Sequence, residues 1–502
     1  MRLSFLAQFA LFWAVAVGLV FLGGGTGGWS LEEDEASHFL TGLMVRDYLA
    51  ALCPWPPLEF ATEYHAHYPR IGMGHWPPVF YALQGAWMLI FPASRESILV
   101  LQAAFSALIA VGISFAAARW VAPAAGLAMA ILWIVAPLPR HHGGLVMTEL
   151  LMILLTGAAV LVYARYLEAP GTMPAVLFGL LAAAALLAKG TGAVLALVPV
   201  LSVLVLRRWE ILRRLDFWIP AVVVALLCAP WYFLVPGAAH ERSGMQVLML
   251  PVSEPRFYWV LVQWLRMSGL AAPLVAMGLG LSAIRAFRTR DVRWTVCLAL
   301  LVSIVLFRQF VLMWSPRHLV TGMPVLLLAA ALAAERFGLW RNRLSTIAFT
   351  AVCIAFSFWQ YKPPIRIRGA AETAAALAAR PATAVLIAGS TASEGALICE
   401  IALRDQRPGH TVLRAGKAFY QLSFFGEILS RSVTEPDEVR KLLQSRGVSV
   451  IIEDLDPRER LPGWDLVRQT LETYSGEWEA ARVFETRFRM WRARPSANPS
   501  PL

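Results

Sequence analysis

The sequence begins with FLAQFALFWAVAVGLVFL (Phe5–Leu22), a glycine-rich spacer (23–28) and WSLEEDEASHF (29–39). The first segment is apolar and long enough to cross a bilayer as one helix, which takes about 20 residues. The last segment places four carboxylates and a histidine just beyond that helix. Acidic groups at a lipid boundary are costly unless they face water, a metal ion or a reacting group. The stretch therefore predicts either a solvated charged loop or a reactive site beside a membrane.

The composition indicates a polytopic membrane protein. Of the 502 residues, 58% are hydrophobic and 15% are charged, and the mean hydropathy is +0.59, whereas soluble domains carry roughly 45–50% apolar and about 25% charged residues. The net charge of +11 does not indicate nucleic-acid binding, because most of the excess lies in short loops between apolar segments. The five cysteines form no CxxC pair and predict neither a disulfide framework nor a zinc knuckle.

Apolar segments predict about eleven membrane spans, within a range of about ten to thirteen. They lie at roughly 5–22, 97–118, 121–138, 150–166, 174–188, 191–206, 217–235, 266–284, 294–312, 318–334 and 344–360. The segment 76–91 is also apolar, but it is short and begins near two prolines, so it predicts a helix at the interface or a further span. The interfacial alternative is preferred because it places the arginine clusters in alternate, cytoplasmic loops.

The same arginine pattern predicts the orientation of the chain. With the amino terminus in the cytoplasm, every arginine cluster between spans is cytoplasmic. Asp34, Glu149, Lys189 and Arg317 then lie on the outer side, together with the carboxyl-terminal region. Only Arg2 precedes the first apolar segment and many spans follow, so we interpret that segment as a retained helix rather than a signal peptide.

The composition changes after residue 361 and predicts a second region. Strands at 384–388 and 448–452 and helices at 393–404 and 436–446 suggest a small α/β domain. The predicted architecture is thus a polytopic α-helical membrane region (1–361, with a first outer loop at 24–96), followed by an extracytoplasmic α/β domain (362–493). The Pro- and Ser-rich tail, 494–502, predicts disorder.

Asp34, Glu35 and His38 are the first candidates for chemistry. Adjacent carboxylates on a helix point about 100° apart, so Asp34 and Glu35 do not form one chelating pair. His38 follows Asp34 by four positions and Glu35 by three, within reach of either. One carboxylate can take a proton or a metal ion while its neighbour binds substrate, which an amide side chain at neutral pH cannot do as a base.

Lys189 is the strongest single candidate. It is the first lysine of the chain, and the next is Lys362, although the same region holds many arginines. Its predicted outer position runs against the positive-inside trend. An ammonium at a membrane edge is suited to a lipid phosphate as a compact point charge. We therefore favour phosphate binding over simple snorkelling of the side chain towards the interface.

Other charged residues lie at outer span ends or within spans. Glu149 fits a ligand role or a stabilising acid at a helix amino terminus, with Thr148 as a cap. Arg317 lies at an outer mouth, and Arg308 lies within an apolar segment, where it is a functional candidate or snorkels. His142 belongs to a histidine pair that fits a metal site less well than an interfacial polar role.

Four motifs occur in a fixed order: DEASH (34–38), HWPPVFY (75–81), Lys189-Gly190, and RHL (317–319) with Pro324. Together they resemble the GT-C membrane glycosyltransferases, in particular bacterial relatives of the protein O-mannosyltransferases and the lipid A aminoarabinose transferases. The resemblance covers about residues 1–361. It implies a polyprenyl-phosphate-linked sugar as donor and transfer on the periplasmic face of a bacterial inner membrane. The acceptor would be an envelope component: lipid A or lipopolysaccharide, a glycan or a protein hydroxyl.

The resemblance also implies roles for individual residues. Asp34 matches the catalytic carboxylate, with Glu35 beside it, and Lys189 matches the lysine that binds the donor phosphate. The remaining implied roles are phosphate binding for Arg317 and Arg308, substrate binding for His38, His75 and Tyr81, and a divalent metal site at Asp34 and Glu149. His75 stands where several members carry lysine, and Glu149 stands where the second metal-binding acid is usually aspartate.

Two other functional classes remain open at this stage. A transporter or flippase of a lipid-linked saccharide also needs cations in the membrane, but it needs no acidic base in an outer loop. A non-catalytic envelope assembly protein, which presents the outer α/β domain, needs neither Asp34 nor Lys189.

Overall fold

The computed structural model describes residues 4–72, 74, 76–235, 257–310, 315–407, 409–422, 428–456, 464–484 and 487–494. The chain forms two compact units. Unit 1 comprises residues 1–25, 74–80 and 98–363. Unit 2 comprises residues 26–73, 81–97 and 364–502.

The described helices are labelled here in chain order. They are α1 (Phe5–Leu22), α2 (Glu33–Ala50), α3 (Pro57–His67), α4 (Val79–Ile90), α5 (Arg95–Trp120), α6 (Pro123–Val135), α7 (Pro137–Gly143), α8 (Glu149–Glu168), α9 (Thr172–Ala188), α10 (Leu197–Leu206), α11 (Leu215–Ala229), α12 (Phe257–Met267), α13 (Ala272–Arg288), α14 (Val292–Phe310), α15 (Met323–Arg336), α16 (Arg343–Gln360), α17 (Ala370–Ala378), α18 (Thr391–Arg404), α19 (Ala415–Ala418), α20 (Pro436–Ser445) and α21 (Trp464–Thr473). Short 3₁₀ segments precede α10, α11, α13 and α15, at Gly190–Ala196, Trp209–Arg213, Gly269–Ala271 and Pro316–Gly322 respectively.

Within the described residues, seven helices are long and apolar enough to cross a membrane, or eight if the bent pair α6–α7 is one span. Each of these coincides with a predicted span. The predicted spans 174–188 and 191–206 correspond to shorter apolar helices. The predicted span 344–360 corresponds to α16, which is 18 residues long but is not among the seven. The chain is therefore a multi-pass α-helical membrane protein.

Helix α4, in the segment 76–91, is too short to span a membrane by itself. It has 12 residues and is about 18 Å long, whereas the hydrocarbon layer is about 30 Å thick. This length agrees with the preferred interfacial interpretation.

Unit 1 is helical, and small residues allow some of its helices to approach closely. A Cβ atom at Gly278 in α13 would collide with the carbonyl oxygen of Ala329 in α15, so glycine is required at this crossing. Gly192 plays a similar part after α9, because a Cβ there would lie 2.5 Å from the backbone of Ala185. The 3₁₀ segment that follows Lys189 therefore packs directly against α9.

Unit 2 contains the predicted α/β elements. The strands are β1 (Trp29–Ser30), β2 (Arg366–Ile367), β3 (Ala384–Ala388), β4 (Thr411–Arg414), β5 (Tyr420–Leu422), β6 (Ile428–Arg431), β7 (Val448–Asp454), β8 (Trp478–Phe484) and β9 (Phe488–Ala493). The main sheet has the order β4-β3-β7-β9-β8, with β3 parallel to β4 and β7, and β9 antiparallel to β7 and β8. The four predicted elements at 384–388, 393–404, 436–446 and 448–452 are confirmed as β3, α18, α20 and β7.

The acidic stretch also belongs to unit 2. Strand β1 pairs antiparallel with β2, with Trp29 opposite Ile367. Helix α2 packs on α18, where the Cys399 thiol donates to the Ala36 carbonyl at 3.0 Å and Gly395 permits close approach to Ala36. The acidic stretch is thus built into the same compact unit as the carboxyl-terminal sheet.

Candidate active site

Helix α2 carries the acidic motif in its first turn, which contains Glu33, Asp34 and Glu35. Carboxylates in this position interact favourably with the positive end of the helix dipole. The helical geometry turns Asp34 and Glu35 to different faces. Asp34 is half-buried, whereas Glu35 is buried, so the two acids have different environments.

Glu35 is fully engaged by neighbouring groups in unit 2. Its Oε2 accepts hydrogen bonds from Ser30 N at 2.9 Å and from Ser30 Oγ at 2.6 Å. Its Oε1 contacts Arg95 Nε at 2.9 Å and Arg95 Nη2 at 2.8 Å. A carboxylate offers about four lone-pair directions, and these contacts use all of them. The geometry favours a structural role for Glu35 over the catalytic role that the resemblance implies.

The charge state of Glu35 agrees with this role. Burial alone would raise the pKa of the Glu35 carboxyl, but Arg95, the Ser30 hydrogen bonds and Arg366 outweigh burial and lower the pKa below 4.5. Glu35 is therefore ionised at neutral pH. A general base works best with a pKa near the operating pH, which Glu35 does not have.

Asp34 lies near a different cation. Arg70 donates from Nη2 to the Glu33 carbonyl at 2.6 Å and interacts electrostatically with Asp34 and Glu33. Asp34 is thus separate from the pair of Glu35 and Arg95, and it is half-buried rather than buried.

His38 and Tyr81 are brought together in unit 2. His38 Nδ1 and Tyr81 Oη lie 2.6 Å apart, and the two rings are stacked with centroids 5.8 Å apart. Both side chains are buried. The contact joins α2 to α4 and favours a positioning role over direct substrate contact. His75, the other predicted substrate-binding residue, lies outside the described residues.

A second charged cluster occupies unit 1. Glu149 is the first residue of α8, and Thr148 makes no side-chain capping bond to the helix, contrary to the capping interpretation. Lys189 follows α9 directly, with extended backbone angles (φ −158°, ψ 135°) that end the helix. Lys189 Nζ donates to Glu149 Oε1 at 2.6 Å, and Arg317 Nε lies 4.0 Å from the same oxygen.

Burial separates the members of this cluster. The Glu149 side chain is 1% exposed, whereas those of Lys189 and Arg317 are 20% and 22% exposed. One buried carboxylate therefore lies beside two cations whose side chains are partly exposed. The pair leaves an excess positive charge, which suits an anionic ligand.

Arg308 joins the cluster through a histidine. Its Nη1 lies 3.3 Å from Nδ1 of His318, and Arg308 is buried. His318 interacts electrostatically with Lys189, Arg308 and Arg317 as well as with Glu149. The structure thus brings together all three residues that the resemblance assigns to the donor phosphate.

His142 lies near Glu149 and interacts with it electrostatically. It is buried, and neither ring nitrogen makes a hydrogen bond within the described residues. The sequence indicated no role in this cluster for it, because an HH pair near a span end is equally typical of an interfacial site.

The predicted metal site at Asp34 and Glu149 is not assembled within the part of the chain that the structure describes. Among the described residues, no group of three or more His, Cys, Asp and Glu side chains could hold a metal ion. Glu149 Oε1 instead contacts the Lys189 ammonium group at 2.6 Å. Within the same described residues, no such group surrounds Asp34.

Sequence reasoning missed two cations that the structure makes important. Arg95 neutralises Glu35, but in the sequence it lies just before a predicted span and is indistinguishable from a boundary residue. Arg70 approaches the acidic motif from 37 positions away. In both cases only the tertiary structure reveals the partner.

Comparisons with known proteins identify the fold. ArnT from Cupriavidus metallidurans, bound to undecaprenyl phosphate, is similar over 98% of this chain and 99% of its own, with a TM-score of 0.65 and 14% identity. An oligosaccharyltransferase from Archaeoglobus fulgidus is similar over 89% of this chain and 69% of its own, with a TM-score of 0.55 and 12% identity.

The same archaeal oligosaccharyltransferase, AglB, in complex with an inhibitory peptide and a dolichol-phosphate, also has a TM-score of 0.55, at 13% identity. No protein-family model and no curated protein matches the chain. The chain therefore has the fold of the GT-C membrane glycosyltransferases, as its motifs implied.

Proposed function

We propose that this protein is a glycosyltransferase that moves a sugar from a polyprenyl-phosphate donor to an envelope acceptor. The observation that carries the proposal is the cluster in unit 1, in which buried Glu149 holds the partly exposed cations Lys189 and Arg317 within a GT-C fold. The ligands seen in the structural neighbours, undecaprenyl phosphate in ArnT and dolichol-phosphate in AglB, support this donor class.

Lys189 and Arg317 would bind the phosphate of the donor, and Arg308 would add a further positive charge through its contact with His318. In the reaction, the bond between the anomeric carbon and the phosphate oxygen breaks, and the electron pair leaves with the polyprenyl phosphate. Fixed cations aimed at this developing charge lower the barrier without reorganisation during the reaction.

Asp34 would act as the general base for the acceptor. Its carboxylate takes the proton of the acceptor hydroxyl as the hydroxyl oxygen bonds to the anomeric carbon. General base catalysis of this kind contributes typically 10²–10⁴-fold to a rate. A single displacement inverts the anomeric configuration. Glu35, closed off by Ser30 and Arg95, would hold the start of α2 in place.

The proposal places the protein in a bacterial inner membrane, with a cytoplasmic amino terminus and transfer on the periplasmic face. Three observations support this setting: the alternate arginine-rich loops, the seven candidate spans and the likeness to ArnT. The acceptor would be lipid A or lipopolysaccharide, a glycan or a protein hydroxyl.

The test compares envelope glycolipids and glycoproteins by mass spectrometry in a deletion strain rescued with wild type, Asp34→Asn or Glu33→Gln. We expect one sugar increment to disappear on deletion and to return with wild type and Glu33→Gln, the matched control from the same helical turn. Asp34→Asn should not restore it, although the protein reaches the membrane. Full restoration by Asp34→Asn would leave transport or assembly as the function.

A further inference from the structure

Unit 2 contains a cleft that the proposed transfer reaction does not use. Its volume is about 800 Å³, and it lies between the end of α3, strand β4, helix α19 and the end of α20. Four of its lining residues can carry positive charge: His65, Arg414, Lys417 and Arg446. The lining contains no carboxylate.

A buried carboxylate fixes one of these cations. Arg414 Nε contacts Glu394 Oε2 at 2.6 Å, and the Glu394 side chain is fully buried. Within the described residues, neither Lys417 nor Arg446 forms an ion pair. The lining thus carries three cationic side chains, of which Arg414 alone is paired with a carboxylate among the described residues, so the lining has an excess of about two positive charges.

The cations repel one another. Partial burial of the ammonium, followed by repulsion from Arg414 and Arg70, lowers the pKa of Lys417, although the residue as a whole is exposed. Burial, followed by repulsion from Arg414, lowers the pKa of Arg70 to about 10, even though Glu394, Asp34 and Glu33 act in the opposite direction. Like charges gathered in this way destabilise the folded chain unless an anion joins them.

His65 adds a neutral polar group to the cleft. Its Nδ1 is buried and makes no hydrogen bond within the described residues. Burial and the charge of Arg414 lower the pKa of His65 below 6.5, so the ring is neutral at pH 7. A neutral imidazole offers one donor and one acceptor, which can pair with the oxygen or the hydroxyl of a phosphate group.

We propose that this cleft binds a phosphomonoester group. A phosphoryl dianion matches the excess of two positive charges, accepts charge-assisted hydrogen bonds from Arg414, Lys417 and Arg446, and gives His65 a partner. The site goes beyond the proposed function, because it lies wholly in unit 2 and binding there requires no sugar transfer.

The test measures binding of inorganic phosphate to the purified full-length protein by titration calorimetry at constant ionic strength. Lys189→Ala serves as the background, so that the proposed donor site does not contribute. We expect saturable binding in this background, with about tenfold weaker affinity after either Lys417→Ala or Arg446→Ala. Lys441→Ala, an exposed lysine of α20 outside the cleft, is the matched control and should bind like the background.

Unchanged affinity in both cleft variants would overturn the proposal, as would an equal loss in Lys441→Ala, since that loss would reflect overall charge alone. Thermal unfolding without phosphate checks that the variants are folded. We expect unchanged unfolding temperatures, because Lys417 and Arg446 are exposed. A failure of transfer in the envelope assay would not affect this binding result.

Nanodiscs distinguish two sources of the phosphoryl group. Phosphate binding is repeated in phosphatidylcholine discs with and without phosphatidic acid. Weaker phosphate binding in the discs that contain phosphatidic acid supports a site filled by a lipid headgroup. Equal binding in both supports a soluble phosphorylated ligand. Absence of saturable phosphate binding in the phosphatidylcholine discs overturns the site.

Discussion

Glu35 in unit 2 and Glu149 in unit 1 are both buried carboxylates near the start of a helix, and both are paired with a cation. They differ in the exposure of that cation. Arg95, the partner of Glu35, is 3% exposed, whereas Lys189, the partner of Glu149, is 20% exposed. Both side chains of the first pair are buried, whereas the cationic side chain of the second pair is partly exposed.

The difference distinguishes an enclosed ion pair from one that suits the proposed binding of an anion. The cost of burying a closed pair is offset only when its geometry and hydrogen bonds are good, and Glu35 meets this condition through Ser30 and Arg95. Glu149 instead shares one oxygen between Lys189 and Arg317. Two partly exposed cations held beside one carboxylate leave a positive charge that can bind an anion. We therefore expect mutations in the Glu149 pair to affect catalysis and mutations in the Glu35 pair to affect stability.

The largest expected effect is on catalysis in unit 1. Lys189→Ala should lower the rate of transfer from a polyprenyl-phosphate sugar by about 10²–10³-fold, the usual loss when one preorganised charge-stabilising group is removed. The rate is measured with purified protein and a radiolabelled donor.

The matched control for this prediction is Lys362→Ala, because Lys362 is an exposed lysine after α16. It should retain full activity. If Lys189→Ala transfers sugar as fast as Lys362→Ala, the pair of Glu149 and Lys189 has no catalytic role, and the proposed difference between the two ion pairs is wrong.

The second effect is on stability in unit 2. Glu35→Gln should lower the free energy of unfolding by about 3–5 kcal/mol, because it removes the negative charge that Glu35 places against buried Arg95. Thermal unfolding in detergent measures the change. The double variant Glu35→Gln with Arg95→Met should recover much of the loss, since both charges are then absent.

Donor binding is expected not to depend on Glu35, unlike stability. The folded fraction of Glu35→Gln should bind the polyprenyl-phosphate donor with wild-type affinity. A stable Glu35→Gln protein that has lost transfer would show instead that Glu35 acts in the chemistry.

The smallest expected effect is on the pH dependence of stability. The folded-state pKa of Glu35 lies below its ordinary value of 4.5, so its contribution is fully present above about pH 4.5 and is lost as the pH falls through the folded pKa. The difference in unfolding midpoint between wild type and Glu35→Gln should therefore be constant from pH 7 to about pH 5 and shrink below it. A difference that persists undiminished at pH 3 would exclude the ionised pair as its cause.

Much of the fold could be predicted from local patterns. Seven of the eleven predicted spans are individually long, apolar helices, and an eighth matches the bent pair α6–α7. Strand β3 has the predicted bounds, because a short, continuous apolar segment such as AVLIA is typical of a strand buried on both faces. Helix lengths were less predictable, since the 3₁₀ segment Gly190–Ala196, which takes up the first part of the predicted span 191–206, depends on how that segment packs.

The candidate site was predicted only in part. Lys189, Arg317 and Arg308 were singled out by residue type and position, and the structure gathers them around Glu149 and His318. The roles of Asp34 and Glu35 could not be separated in sequence, because both are acids in one helical turn. Their difference arises from Arg95, 60 positions away.

By itself, the sequence determined the membrane class, the helical membrane region, the α/β elements after residue 361 and the chemical types of the candidate residues. These properties follow from hydropathy, periodicity and charge, which are local along the chain. Only the tertiary structure decided which carboxylate is enclosed by hydrogen-bond and ion-pair partners and which cationic side chains are partly exposed. It also decided that a basic cleft forms in unit 2. Burial and pairing depend on residues far apart in the chain, and these contacts set the free energy of each charge.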